Sequence, residues 1–344
     1  MNPRQRLALA SLVAVLAAVW IGELCFGAIR IAPSEVLAGL FRHPAAAQDP
    51  QALIVWNLRL PRAVLALLAG AALATAGTGM QALFRNPLAE PGIAGVSAGS
   101  ALAAAAVFAL SATCLSGWPR HAAPVLLPLA AFGGGTLTAV LVTGLARRSG
   151  STQTAPLLLA GVAVNAVAGA GIGWISLRLP ADALHNYLAW AYGDLGRAGW
   201  LEIAFATPPL LIAILAPLRD ARALDALLLG DAEAAHLGVR VEALKRRTLL
   251  FAVLAAAATA AAAGPISFIG LIAPHIARRL FGVTHRRLLP AAALTGAVLL
   301  VAADLTARLV ARPSELPVGL LTALLGGPFF LLLLASRRGI EDEP

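Results

Sequence analysis

Few residues in this chain could do covalent chemistry, and their spacing does not assemble a catalyst. The six histidines are scattered, and His275 has no second ligand at helical spacing, so it reads as a packing or capping residue and no metal site is expected. Cys25 and Cys114 sit alone in apolar surroundings, which suits neither a disulfide framework nor a metal cluster. Lys245 is the only lysine, and no glycine-rich phosphate loop precedes it, so the chain cannot bind ATP by that route. What remains is recognition chemistry. Arg59, Arg62 and Arg308 stand at the ends of long apolar stretches, where a guanidinium can grip a carboxylate with two parallel hydrogen bonds or snorkel to headgroup phosphates. Asp304 lies four residues before Arg308, so an intrahelical ion pair is the economical reading and a proton relay the alternative.

The elements that carry these residues are set by composition. Of 344 residues 59% are apolar and only 12% charged, with a mean hydropathy of +0.82. So few charges cannot clothe a water-soluble domain of this size, and the solvent must be lipid. A transmembrane helix takes about 20 apolar residues, so the apolar content fills about ten helices and leaves no room for an appended soluble catalytic module. The net charge of +9 then serves orientation and anionic headgroups rather than nucleic acid.

Ten spans can be marked: 7–29, 62–83, 93–113, 123–146, 154–177, 199–217, 246–263, 267–282, 288–307 and 317–335. Gly264 and Pro265 divide the seventh from the eighth, which is short. The N-terminal apolar run is too long for a secretory signal and reads as an uncleaved first helix. An even number of spans puts both termini on one side. With that side cytoplasmic, 17 of the 26 basic residues lie inside. The class expected is thus an all-α polytopic membrane protein, one domain over residues 1–344.

Three local features stand out. The cytoplasmic connection 219–247 reads as two short helices on either side of Gly230, with Asp231 as an N-cap and Gly238 as a stop; it is a docking surface or a merely solvated loop. RNPLAEPG (85–92) cannot be a continuous helix because of Pro87 and Pro91, which suits a gate built on Asn86 and Leu88, with simple turn capping by Asn86 as the alternative. Gly161, Asn165, Gly169 and Gly173 give the fifth span a surface of small residues, and Gly95 and Gly99 permit close helix approach in the third.

RLPR (59–62), GAALATAGTGMQALFRNPLAEPGIAGVSAG (70–99), GPISFIGLIAPHIARRL (264–280), AADLTAR (302–308) and ELPVGLLTALLGGPFF (315–330) resemble, in order, the permease subunits of binding-protein-dependent type II ABC importers for vitamin B12, haem and ferric siderophores. The resemblance covers nearly the whole chain and implies ten helices per subunit. It implies a second copy of the chain, two ATP-binding subunits that hold the ATP and Mg, and a periplasmic binding protein, with no cofactor in this chain. Under it, Arg59, Arg62 and Arg308 dock acidic residues of the binding protein. Asp231, Glu233, Gly238 and Arg240 contact the ATPase. Asn86 and Leu88, with Ser151, Thr152 and Thr154, form a cytoplasmic gate, and Gly161, Asn165, Gly169 and Gly173 line the pathway between copies. The implied location is the bacterial inner membrane. The segment LPADALHNYLAWAYGDLGRAGW (179–200) departs from the family's wording.

Two other classes fit less well. A secondary transporter keeps ionisable groups near the membrane midplane, and an intramembrane enzyme needs a nucleophile paired with a base; the spans offer neither. The expected activity is import of an iron chelate by alternating access, with haem the first choice of cargo and ferric siderophore or vitamin B12 the alternatives.

Overall fold

Uncharged runs of Ala, Leu, Val and Gly can satisfy their backbone in lipid only by closing hydrogen bonds along the chain, and helices duly dominate. The computed structural model describes residues 3–27, 29–41, 50–113, 123–148, 151–152, 154–311 and 315–341. In chain order the helices are α1 (Pro3–Cys25), α2 (Pro33–Phe41), α3 (Pro50–Ile54), α4 (Leu60–Leu83), α5 (Val96–Thr113), α6 (Ala123–Leu145), α7 (Thr154–Ser176), α8 (Ala181–Ala191), α9 (Trp200–Leu215), α10 (Ala221–Leu227), α11 (Asp231–His236), α12 (Val241–Ala263), α13 (Ile269–Phe281), α14 (His285–Val310) and α15 (Val318–Glu341). A two-residue antiparallel ladder pairs β1 (Arg147–Arg148) with β2 (Ser151–Thr152).

Every expected span falls on a helix. Among the described residues, seven helices are long and apolar enough to cross a bilayer: α1, the run 50–83, α6, α7, the run 200–227, α12 and α14. The apolar parts of α5 and α15 are shorter, and α13 has 13 residues, about 20 Å by helical rise against a hydrocarbon core of about 30 Å. The second span also begins earlier than expected. A widened π-helical turn, Val55–Arg59, joins α3 to α4. Pro61 follows at once; its ring nitrogen can donate nothing to the preceding turn, and a wider turn accommodates the missing bond.

Helix α4 is buried along most of its length and forms the axis on which α9, α12, α13 and α14 pack. Glycine permits this. A Cβ added at Gly70 would stand 2.4 Å from the Gly296 carbonyl oxygen of α14, and one at Gly77 would stand 1.9 Å from the Gly270 oxygen of α13. The expected close approach in the third span holds for Gly99, whose Cβ would meet the Gly134 oxygen of α6 at 2.5 Å. Gly95 is different: it precedes α5 with φ +74° and ends a short 3-10 turn, so its role is conformational.

The divergent segment 179–200 folds into α8 and a turn that plugs the break between α12 and α13. The Asp194 N–H donates to the Ala263 oxygen at 2.6 Å, and the Gly319 N–H at the head of α15 donates to the Gly193 oxygen at 3.2 Å. The start of α15 therefore rests on the turn after α8.

Candidate functional site

The C-terminal ends of α1 and α14 and the N-terminal end of α4 converge on a buried cluster of charges. Arg62 Nε and Nη2 donate to Asp304 Oδ2 and Oδ1 at 2.7 and 2.9 Å, a two-bond fork across the α4–α14 contact. Its remaining edge, Nη1, donates to Glu315 Oε2 at 2.6 Å. Arg308 Nη2 pairs with the Glu23 carboxylate of α1 and donates to the Glu23 backbone oxygen at 3.0 Å. Arg59 spends its guanidinium on the Leu24 oxygen at 2.6 Å and on the Ile29 oxygen, capping the end of α1. Two arginines, Arg62 and Arg308, thus meet the carboxylates of Asp304, Glu315 and Glu23, while Arg59 is held by backbone oxygens in the same region.

The expected intrahelical pair of Asp304 with Arg308 is present at 3.7 Å, and the two-bond partner of Asp304, which sequence spacing did not show, is Arg62. A guanidinium arriving from a neighbouring helix meets the carboxylate head-on, which an i,i+4 neighbour on the same helix does less well. The three arginines do not stand open on the surface of the single chain. Arg59, Arg62 and Arg308 are 4%, 6% and 5% exposed, whereas Glu315 is exposed and stands over the Arg62 edge. Neither Glu23 nor Glu315 stood out from the sequence pattern. The signal for Glu23 was available, since an acid in the last turn of an apolar helix must have a partner.

At the opposite end, α10 and α11 form the two short helices expected around Gly230, whose φ is +128°, and Gly238, φ +84°, ends the second. Asp231 is not the N-cap. It is the first helical residue after Gly230, and its carboxylate accepts from Lys245 Nζ of α12 at 2.6 Å. Arg247 grips Asp220 at 2.8 and 3.1 Å, and the Asp225 carboxylate meets both the backbone N–H and the ring Nδ1 of His285 at the head of α14, at 2.9 and 2.7 Å. The segment is therefore fastened to α12 and α14, which a merely solvated loop would not be. Its outer side presents Glu233, Gly238 and Arg240, all exposed, together with Leu229 and Leu237, each 64% exposed. Apolar side chains held out on a tethered charged loop are the feature that sequence inspection missed.

Between α4 and α5 the chain turns on itself. Asn86 Oδ1 accepts the Leu88 N–H at 3.0 Å, so the turn-capping role of Asn86 is realised and brings the two residues together. Glu90 Oε2 accepts the N–H of Phe268, which has φ +67°, at 3.2 Å. This ties the loop to the break before α13. Desolvation pushes the Glu90 carboxyl above its ordinary value, against the opposing pull of that N–H. Ser151 and Thr152 lie in β2 and Thr154 begins α7; their side chains lie outside the described residues. Along α7, Gly161 is buried, while Asn165, Gly169 and Gly173 are exposed, and a Cβ at Gly169 or Gly173 would meet nothing within 4 Å. Leu159, Val162, Val167 and Trp174 are exposed on the same helix. One long helix thus lies with most of its surface unburied.

The family model for the FecCD transport family matches residues 14–336, nearly the whole length described above. The chain belongs to the FecCD transport family. It is 43% identical to the hemin transport system permease protein HmuU of Yersinia pestis over 83% of this chain and 84% of that one. It is also 43% identical to the Fe(3+) dicitrate transport system permease protein FecD of Escherichia coli, over 83% and 86%. A solved metal-chelate type ABC transporter in an inward-facing conformation superposes with a TM-score of 0.80 at 29% identity, covering 96% of this chain and 99% of that one. The permease is accordingly a membrane transport subunit of the ABC importers for iron chelates, haem and vitamin B12.

Proposed function

We propose that this permease imports haem across the bacterial inner membrane as one of two copies, both termini cytoplasmic, driven by a separate pair of ATPase subunits and fed by a periplasmic binding protein. The observation that carries the reading is the tethered α10–α11 segment: its base is fixed to α12 by two ion pairs and to α14 by the hydrogen bonds of Asp225 with His285, while Leu229 and Leu237 face outward. Displacement of such a segment by a partner moves the helices it is fastened to. Asp231 acts here by holding α11 against Lys245, and Glu233, Gly238 and Arg240 belong to the contact face. The outer cluster of Arg59, Arg62 and Arg308 is the binding-protein end. Asn86 and Leu88, with Ser151, Thr152 and Thr154, form the inner gate, and the open face of α7 forms the pathway wall with the second copy. Small residues such as Gly169 and Gly173 leave a wide wall without tight ligands, which suits a bulky cargo that must be released.

The hemin permease relative supports haem, and the ferric dicitrate relative at the same identity supports a ferric chelate as the second reading. The test is uptake by proteoliposomes holding the permease with its ATPase and binding protein, offered hemin or ferric citrate. ATP-dependent hemin accumulation is expected; accumulation of ferric citrate alone would transfer the assignment.

A further inference from the structure

The permease holds its own carboxylate where a partner's would have to bind. Arg62 has one edge committed to Asp304, which is fully buried, and the other to Glu315, whose side chain is 50% exposed. The two bonds differ in what it takes to break them. Asp304 cannot leave Arg62 without stranding a charge in the protein interior, whereas Glu315 exchanges its guanidinium contact for water.

The surroundings make this edge a prepared site. Gly196 lies beneath it: a Cβ there would stand 3.0 Å from Arg62 Nη1 and 3.3 Å from Glu315 Oε2, so the glycine leaves the pair room that a side chain would tighten. Glu315 also begins the strand of chain that leads through Leu316 and Pro317 into α15. The first turn of α15 rests on the turn after α8, where the Gly319 N–H meets the Gly193 oxygen and a Cβ at Gly319 would stand 2.2 Å from the Tyr192 oxygen. Release of Glu315 therefore frees the lead-in to α15 at its outer end.

We propose that docking of an acidic partner protein at this face is an exchange of carboxylates: a partner Asp or Glu displaces Glu315 from the outer edge of Arg62, and the released 315–317 segment passes the event to α15. This rests on the reading of the outer face as the binding-protein end and adds to it the residue that gates access, Glu315. Arg62 remains paired throughout, so the buried Asp304 is never stranded, and the vacated Nη1 offers the incoming carboxylate a charge-assisted hydrogen bond.

The experiment measures binding of the cognate binding protein to the intact permease–ATPase complex in nanodiscs, for wild type, Glu315→Gln, Glu315→Asp and Arg62→Lys, with assembly of each variant confirmed by size-exclusion chromatography. Removing an exposed competing ion pair should tighten binding about two- to fivefold in Glu315→Gln. Glu315→Asp keeps the charge but is one methylene shorter, and it should also tighten binding. If Glu315→Gln tightens binding and Glu315→Asp matches wild type, the gain is long-range charge and the exchange is overturned; unchanged or weaker binding in Glu315→Gln overturns it as well. The parent reading has its own arm. Should Arg62→Lys and raised salt both leave wild-type affinity intact, the outer face is not the docking end and the exchange falls with it. Weakened binding in that arm upholds the docking face, and the exchange then stands or falls on the two Glu315 variants.

Discussion

At Arg62 one guanidinium serves two carboxylates, and the buried half of that arrangement is the one whose loss the fold should feel most. Removing one partner of a buried ion pair costs about 3–5 kcal/mol because the other charge is left without compensation. Asp304→Asn is therefore expected to lower the thermal unfolding midpoint of the detergent-solubilised permease markedly, and pairing it with Arg62→Gln should recover part of the loss; equal or additive losses would show that the two side chains do not act as a unit. Glu90 gives a pH prediction with a definite sign. Its carboxyl is raised in the folded chain, so the fold binds that proton more tightly than the unfolded chain does. The associated stability is present below the ordinary carboxylate value and is lost as pH rises through the raised one. Glu90→Gln should thus compare more favourably with wild type at pH 7 than at pH 4.5 in thermal midpoint, and a difference of the opposite sign refutes the burial argument. Much of this scale was legible in sequence. The arginines at 59, 62 and 308 and the acid at 304 stood out because charge is rare here, but their pairing was not readable, since it depends on which helices touch.

Among the elements, α4 is the axis, and the glycines on it decide how closely α13 and α14 approach. Gly77→Val should abolish accumulation of folded permease in membranes, because a Cβ there would overlap the Gly270 carbonyl. Gly169→Ala on the open face of α7 should leave folding intact; the two variants compared by fluorescence-detected size-exclusion chromatography test the contrast directly. The α10–α11 segment makes the matching prediction for coupling. Leu229→Ser with Leu237→Ser should reduce co-purification of the ATPase subunits several-fold while the permease remains folded, and undiminished capture would remove these leucines from the contact. The positions of the long helices followed from uncharged length, and the break at Gly264 and Pro265 was visible as residue types that end helices. The helices α2, α3 and α8, the π-helical turn before Pro61 and the exposure of Leu229 and Leu237 were not, and among the described residues seven helices rather than ten are long and apolar enough to span. Each depends on what packs against the segment, which a period or a propensity does not encode.

For the whole molecule, the arrangement is a set of lipid-solvated helices with a buried charge cluster at one end and a fastened, outward-facing helix pair at the other. Helix α14 spans between them, bonded to the α10–α11 segment through His285 and to the charge cluster through Asp304 and Arg308. A displacement imposed at one end therefore has a continuous rigid element along which to reach the other. The class of the molecule, a lipid-embedded helical transport subunit, was legible from composition and motifs, and the family match agrees with it. The most direct test is hemin uptake by proteoliposomes that contain the permease alone, the permease with its ATPase, or both with the binding protein, each with and without ATP. Accumulation against a gradient only in the complete, ATP-loaded system is the expected result; accumulation by the permease alone would contradict a conduit moved by its partners.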